Sequence, residues 1–291
     1  MKRVGFLSGA GAILLVPRTV AAASLSTRIR AIARKLPGRI GVFARTLAPA
    51  PPLVAYGAFE RFPSASTIKV LIMTTAYAME ESAPGTLSET ITFQRENLIG
   101  GSDFMSGVED GRRFTVRQLI APMIQVSDNT AANLLIGRLG IAAINAVGRR
   151  AGMERTRLAR RFLDYGAIVR HHDNVSTPAD MARLLYLIEE GARERVRTIV
   201  SAKHCRTMVA IMLGQADRDG IPAALPRGTS VANKTGELAG TRNDVAIVEP
   251  FGDSPFVLAI MTRETYDYPA AYAAIHAVTR ATYAVAARTF A

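Results

Sequence analysis

Residues 66–79 read STIKVLIMTTAYAM. The segment is apolar on almost every side, and Lys69 is its one charged residue. A helix that is apolar all round lies inside a protein, so this segment predicts a buried central helix. Because a buried ammonium group is costly, Lys69 needs a chemical reason to be there.

Ser66 and Lys69 lie three residues apart, which places both on one face of a helix that begins at Ser66. Burial should lower the pKa of Lys69, so that its neutral amine accepts the proton of the Ser66 hydroxyl. The pair therefore predicts a nucleophile and its base. For so short a motif, the alternative is a helix cap followed by a surface lysine.

The fold class follows from the elements around this helix. The predicted elements are a helix at 25–36, strands at 39–47 and 53–59, helical segments between 66 and 214, strands at 230–235, 243–249 and 256–262, and a helix at 268–288. This order predicts an α+β fold, an α/β/α sandwich in which an antiparallel sheet of about five strands is built from both chain ends. We place one catalytic domain at 24–291, with a sheet lobe at 24–65 and 215–291 and an inserted all-helical lobe at 66–214.

The first 23 residues resemble a secretory signal: a basic start, an apolar run at 4–17, then three alanines at 21–23. We predict cleavage near residues 22–24 and an exported protein, periplasmic or secreted, with no stable membrane insertion after cleavage. The alternative is a retained anchor, although the run is shorter than the roughly 20 apolar residues that cross a bilayer.

Composition narrows the class of partner. An apolar content of 49% over 291 residues allows a full hydrophobic core, and Cys205 is the only cysteine, so no intramolecular disulfide can form. The formal charge of +12 favours anionic partners such as cell-wall polymers or anionic substrates, or else a solvated basic surface. Nucleic acid is disfavoured because the chain has no Trp and no groove-reading or stacking motif.

The tripeptide Ser127-Asp128-Asn129 separates two apolar helical segments, so its side chains can turn into a cleft. In a functional interpretation, Ser127 passes a proton to the leaving amine, Asn129 binds the substrate amide and Asp128 holds the loop in shape. The alternative is an N-cap for the next helix.

The tripeptide Lys234-Thr235-Gly236 is predicted to end a strand. It offers a positive charge, a hydroxyl donor and a residue with no side chain to obstruct a ligand, which suits an anionic acyl substrate. The alternative is a turn that leads to the next strand.

These three motifs, in this order, resemble the active-site signature of class A β-lactamases and the related penicillin-binding proteins. The resemblance extends over nearly all of the chain after the signal, through landmarks at 126–135, 156–158 and 177–181. It implies an acyl-enzyme mechanism in which Ser66 attacks a lactam carbonyl. It requires no cofactor and no metal.

The resemblance also assigns the binding groups. The backbone N–H groups of Ser66 and Glu237 would form the oxyanion hole. Lys234, Thr235 and Arg242 would hold the substrate carboxylate, and a surface arginine is the alternative for Arg242.

The sequence departs from this family in the loop that follows residue 156. Phe162 stands where the family carries the Glu that activates water for deacylation, and residues 157–180 contain no Glu-x-x-x-Asn pattern. Asp164 is the nearest carboxylate and therefore the candidate base, with a structural ion pair to Arg160 or Arg161 as its alternative. The run His171-His172-Asp173 is interpreted as solvent-facing, without a metal.

The sequence therefore predicts a monomeric serine hydrolase that is acylated at Ser66 by a small β-lactam and whose deacylation is in question. The first alternative is a cell-wall D-Ala-D-Ala peptidase, which uses the same motifs on a peptide substrate. A non-enzymatic β-lactam receptor ranks last, because the chain has no second membrane segment or signalling domain.

Overall fold

The structure is a computed structural model that describes residues 18–194 and 199–289, and residues 1–17 of the expected export signal lie outside the described part. The described residues form ten α-helices: α1 (Arg18–Lys35), α2 (Lys69–Ser82), α3 (Asp103–Ser106), α4 (Val116–Gln125), α5 (Asn129–Leu139), α6 (Ile141–Arg150), α7 (Tyr165–Val169), α8 (Pro178–Ala192), α9 (Ala202–Leu213) and α10 (Tyr268–Thr289). They also form nine strands: β1 (Arg39–Thr46), β2 (Val54–Tyr56), β3 (Phe62–Pro63), β4 (Thr90–Thr92), β5 (Arg113–Thr115), β6 (Val175–Ser176), β7 (Val231–Leu238), β8 (Thr241–Val248) and β9 (Phe256–Arg263).

The main sheet has five antiparallel strands in the order β2-β1-β9-β8-β7. Its two halves meet where β1 pairs with β9 along its whole length, from Arg39 opposite Arg263 to Thr46 opposite Phe256. The predicted α+β fold is therefore confirmed, with a sheet assembled from both ends of the described chain.

Both faces of this sheet are buried, and the alternation along β9 divides its residues between two cores. Val257 and Met261 pack into the core shared with the helical lobe. Leu258 and Ile260 point the other way, into the core formed with α1 and α10. Two helices on one face and a helical lobe on the other give the three layers of an α/β/α sandwich.

The predicted central helix is confirmed as α2, in which every residue from Lys69 to Ala78 is buried. Its start differs slightly from the expectation, because a 3-10 turn at Ala65–Ile68 precedes the α-helix. The hydroxyl of Thr67 donates to the carbonyl of Ser64 at 2.7 Å and closes that turn. Ser66 therefore lies in the 3-10 turn, three residues before the α-helix begins at Lys69.

The prediction that Lys234-Thr235-Gly236 ends a strand is wrong. Strand β7 continues to Leu238, and its pairing with β8 runs through the tripeptide to the pair of Leu238 and Thr241. The glycine suggested a break, but the neighbouring strand supplies backbone partners on both sides of it. The tripeptide consequently lies inside a rigid sheet.

Between α2 and β7 the described chain is mainly helical, as the sequence predicted. Cys205 is buried in α9. Within the described ranges no single helix has the length and apolarity to span a membrane, and only the pair α5 and α6, bent by 86° at their junction, meets those two criteria together.

Candidate active site

Ser66 is partly exposed at the turn between β3 and α2, and it lines a cavity of about 130 Å³, called the Ser66 cleft. Asn129, Phe162 and Glu237 line the same cleft, so residues from four distant segments converge on the serine. Within the described ranges the Ser66 hydroxyl makes no hydrogen bond, which leaves its oxygen available to an incoming ligand.

Lys69 is completely buried, and its Nζ lies against the loop that carries Ser127. Nζ donates to the Ser127 carbonyl at 2.6 Å, to Asn129 Oδ1 at 2.8 Å and to Ser127 Oγ at 3.2 Å. Burial lowers the pKa of Lys69 well below its usual value, and the positive charge of Lys234 lowers it further. No hydrogen bond joins Lys69 to Ser66 in the described structure, and the amine donates instead to Ser127 and Asn129.

Lys234 approaches the same hydroxyl from the sheet. Its Nζ donates to Ser127 Oγ at 3.0 Å and to the Thr235 carbonyl at 2.9 Å. Burial lowers the pKa of Lys234 to about 8, against the opposing effect of the negative charge on Asp244. Two buried amines, from the helical lobe and from the sheet, thus meet on one hydroxyl.

The backbone around Ser127 is held in an unusual conformation. Ser127 has a φ of 57°, a left-handed value that is uncommon for a residue with a side chain. The buried carboxylate of Asp128 holds the loop, accepting from Ala131 N at 2.8 Å and from Met105 N at 2.9 Å. Asp128 therefore caps α5 and ties it to α3, which supports the strained backbone next to it.

Asn129 is fixed through both ends of its amide. Oδ1 accepts from Lys69, and Nδ2 donates to the Gly100 carbonyl at 2.9 Å. Gly101 has a φ of 67°, and a Cβ on it would lie 2.6 Å from Asn129 Nδ2. The sequence reasoning missed this glycine pair, although two adjacent glycines before a polar run were a visible signal.

Gly236 has a different role from the one that the sequence suggested. A Cβ at this position would lie 3.1 Å from Ser66 N and equally close to the carbonyl of Ser64. The missing side chain therefore lets β7 pack directly against the turn of Ser66. This brings the backbone of Gly236 and the following Glu237 beside the nucleophile candidate.

Phe162 lies at the wall of the cleft, where its ring covers Lys69. The ring centroid is 4.5 Å from Lys69 Nζ. Asn133 grips the peptide of Phe162 from α5, accepting from its N–H at 2.8 Å and donating to its carbonyl at 3.0 Å. The sequence reasoning missed this role of Asn133, an amide in the apolar middle of α5. Because Asn133 fixes the backbone of Phe162, the aromatic ring is held over Lys69.

The loop around Phe162 is closed at its base. Arg157 pairs with Val175 as an isolated bridge, and Asn174 Oδ1 accepts from the N–H groups of Ala159 and Arg160 at 2.7 and 3.0 Å. Arg160 pairs with Asp173 at 3.3 Å. These contacts fix both ends of the loop.

Asp164 has neither of the predicted contacts. Its Oδ1 accepts from Ala167 N at 2.9 Å and caps α7, and the residue is exposed. Within the described ranges Asp164 forms no ion pair, so the predicted pair with Arg160 or Arg161 is wrong. It is also absent from the residues that line the Ser66 cleft.

Arg242 is held at the end of the sheet by the residue opposite it. Its Nε lies 3.4 Å from Glu237 Oε1, and its guanidinium stacks on Tyr268 at 3.6 Å from the ring centroid. Tyr272 donates its hydroxyl proton to the same Glu237 oxygen at 2.6 Å. A substrate carboxylate would have to compete with Glu237 for Arg242.

Fold and site together define a serine acyl-transfer enzyme: a partly exposed serine in a cleft, and two buried lysines of lowered pKa that share the hydroxyl of Ser127. The chain matches the family model described as the β-lactamase enzyme family over residues 24–286, and it belongs to that family. It is a β-lactamase-like serine hydrolase.

Solved structures agree with this assignment. The chain is similar to a β-lactamase from Desulfarculus baarsii (33% identity, TM-score 0.79), with 89% of this chain and 96% of that chain covered. It is similar to an ancestral class A β-lactamase (31% identity, TM-score 0.80, coverage 89% and 99%). It is also similar to PBP-A, of which one mutant is seen as an acyl-enzyme complex with penicillin G (25% identity, TM-score 0.79, coverage 91% and 96%).

The two lysines predict a bell-shaped pH profile for acylation of Ser66 by a chromogenic cephalosporin. The second-order rate should rise with pH as Lys69 loses its proton, because only the neutral amine accepts a proton. It should fall above about pH 8, where Lys234 loses the charge that attracts a carboxylate. Stopped-flow rates between pH 5 and 10 measure both limbs.

Lys234→Arg is the control for this profile, since a guanidinium stays charged throughout the range. Its alkaline limb should disappear while the acidic limb remains. An alkaline limb that persists near pH 8 in this variant would contradict the assignment to Lys234.

Proposed function

We propose that Ser66 is the nucleophile of an acyl-transfer reaction that opens a β-lactam and leaves a covalent, slowly hydrolysed acyl-enzyme. The convergence of Lys234 and of Lys69, three residues from Ser66, on the hydroxyl of Ser127 carries this proposal. Once Lys69 is an ammonium, both amines donate to this hydroxyl, whose own proton is then free to pass to a leaving group.

In the proposed first step, neutral Lys69 takes the proton of Ser66 while Ser66 Oγ attacks the lactam carbonyl. A neutral amine keeps two N–H groups, which match the two short contacts to the Ser127 carbonyl and Asn129 Oδ1. The lone pair of this amine is then available to accept the proton of the Ser66 hydroxyl. The backbone N–H groups of Ser66 and Glu237 would stabilise the oxyanion that forms.

In the second step the carbon–nitrogen bond of the lactam breaks, and the Ser127 proton passes to the leaving nitrogen. Lys69, now an ammonium, can replace that proton through its 3.2 Å contact with Ser127 Oγ. Lys234 and Thr235 would hold the carboxylate of the substrate, and Asn129 Nδ2 has a second N–H for the substrate amide. The chemistry uses only side chains and backbone.

Hydrolysis of the acyl-enzyme requires an activated water, and Asp173, the loop carboxylate that lines the cleft, is already paired with Arg160. Phe162 covers Lys69 with an apolar ring, and Asp164 is engaged in capping α7. An apolar group in this position neither binds nor deprotonates water. This observation favours a second candidate function, a cell-wall D-Ala-D-Ala peptidase that is trapped by β-lactams.

We also propose that the chain is exported and acts as a monomer on the periplasmic or outer side of the membrane. The proposal rests on the signal-like pattern of residues 1–23. Terminal sequencing of the protein recovered from periplasm or medium tests it, and a first residue between positions 22 and 24 is expected. An uncleaved protein in the membrane fraction would contradict it.

Mixing the purified protein with a chromogenic cephalosporin should release about one equivalent of colour rapidly, followed by a much slower steady rate. Intact mass should show one adduct on Ser66. Ser66→Ala should form no adduct, because the nucleophile is absent. An unmodified protein, or an adduct that survives in Ser66→Ala, would refute the proposed nucleophile.

Phe162→Glu should speed the loss of the adduct, because it places a carboxylate beside Lys69 on a backbone that Asn133 already fixes. We expect the deacylation rate to rise by on the order of 100-fold, the scale of general base catalysis. Deacylation is followed by intact mass after excess antibiotic is removed.

Phe162→Gln is the matched control, since it has nearly the same shape as Glu and no basic carboxylate. It should deacylate much more slowly than Phe162→Glu. Equal rates in the two variants would mean that access of water, and not general base catalysis, limits the wild-type reaction.

A further inference from the structure

A second cavity, of about 530 Å³, lies on the surface beside the loop of Phe162. Four exposed arginines line it, from three separate segments of the chain, and we call this surface the arginine groove. They are Arg61, Arg149, Arg155 and Arg157.

The positive charge of this groove is largely uncompensated. Within the described ranges the guanidinium groups of Arg61, Arg149 and Arg157 have no hydrogen bond or ion pair, and Arg155 donates only to the carbonyl of Phe59 at 2.9 Å. Glu154 and Asp173 are the carboxylates of the lining. Asp173 already pairs with Arg160, which lies outside the lining.

The groove is continuous with two other surfaces. Arg61 and Arg155 also line a neighbouring open depression of about 630 Å³, so the cationic surface extends beyond one cavity. At its other end, Asp173 lines both the arginine groove and the Ser66 cleft. A long ligand in the groove would therefore pass close to the serine.

We propose that the arginine groove binds a linear polyanion, a polymer that carries phosphate or carboxylate groups along its chain. Guanidinium groups bind both kinds of anion through paired N–H donors, and several of them spread along an open groove suit repeated charges better than one small anion. The formal charge of +12 on the chain adds a long-range attraction for such a polymer.

The lining of the groove argues against nucleic acid as the partner. Apart from two histidines, His171 and His172, its residues carry no aromatic ring. Proteins that bind single strands stack bases on aromatic side chains, and the groove has no Phe, Tyr or Trp for this purpose. A cell-envelope polymer needs only charge, and it fits the proposed export of the chain.

Binding in the groove would hold a polymer so that groups attached to it reach Ser66. This catalytic consequence rests on the proposed function, whereas the binding itself does not. Binding is therefore measured without reference to turnover, and acylation by a cephalosporin is measured separately in the same variants.

The experiment uses long-chain polyphosphate as the phosphate probe and poly-L-glutamate as the carboxylate probe, both fluorescently labelled. Binding of the full chain is followed by anisotropy at low salt. The triple variant Arg61→Glu, Arg149→Glu and Arg157→Glu should lose affinity by about tenfold or more, and wild-type affinity should fall steeply with salt.

The matched control is the triple variant Arg28→Glu, Arg30→Glu and Arg34→Glu, which reverses three exposed arginines on α1. It changes the net charge equally and should lose less than about threefold in affinity if the groove is the site. Both variants should retain acylation of Ser66 by the cephalosporin, which also confirms that they fold.

Tighter binding of polyphosphate would identify the ligand as a phosphate polymer, and tighter binding of polyglutamate would identify it as a carboxylate polymer. Three results would overturn the proposal: equal losses in the two triple variants, no binding of either polymer by the wild type, or tighter binding of single-stranded DNA of equal charge. Absence of acylation in the wild type would refute the proposed function alone.

Discussion

The site depends on the burial of two lysines against one hydroxyl. Lys69 and Lys234 reach Ser127 Oγ from opposite lobes, at 3.2 and 3.0 Å. Removing both amines from water disfavours their charged forms, and the positive charge of Lys234 further lowers the pKa of Lys69. The lobes must therefore be held together by other means, which the apolar core shared by the helical lobe and the sheet provides. In return, the pKa of Lys69 falls well below its usual value, which favours the neutral amine that can act as a base.

The same burial separates the two halves of the proposed catalytic cycle. Acylation requires a neutral Lys69, and an apolar ring over its amine maintains the desolvation that produces one. Hydrolysis of the product requires a polar group and a water at the same wall. The ring of Phe162 helps to keep Lys69 desolvated for acylation, but it excludes the polar group and the water that hydrolysis needs. One side chain therefore connects the pKa of the base with the lifetime of the acyl-enzyme.

Charge is distributed differently inside the protein and on its surface. Inside, the amines of Lys69 and Lys234 each contact specific oxygens, and at the end of the sheet Arg242 pairs with Glu237. On the surface, four arginines line the arginine groove together with only two carboxylates, one of which is already paired with Arg160. Exposed like charges repel weakly because water and salt screen them, so this arrangement costs little stability and remains available for a polyanion.

The sequence by itself determined the fold class, the buried helix α2 and the three motifs, because burial and spacing within one element are local properties of the chain. It also showed that Phe162 stands where the family carries a glutamate in this loop. Only the tertiary structure decided that Lys234 shares the hydroxyl of Ser127 with Lys69, that the ring of Phe162 covers Lys69 and that Gly236 packs against the turn of Ser66. These outcomes depend on neighbours far along the chain: Lys234 and Ser127 are 107 positions apart. Packing of whole elements sets such contacts, and no local pattern encodes them.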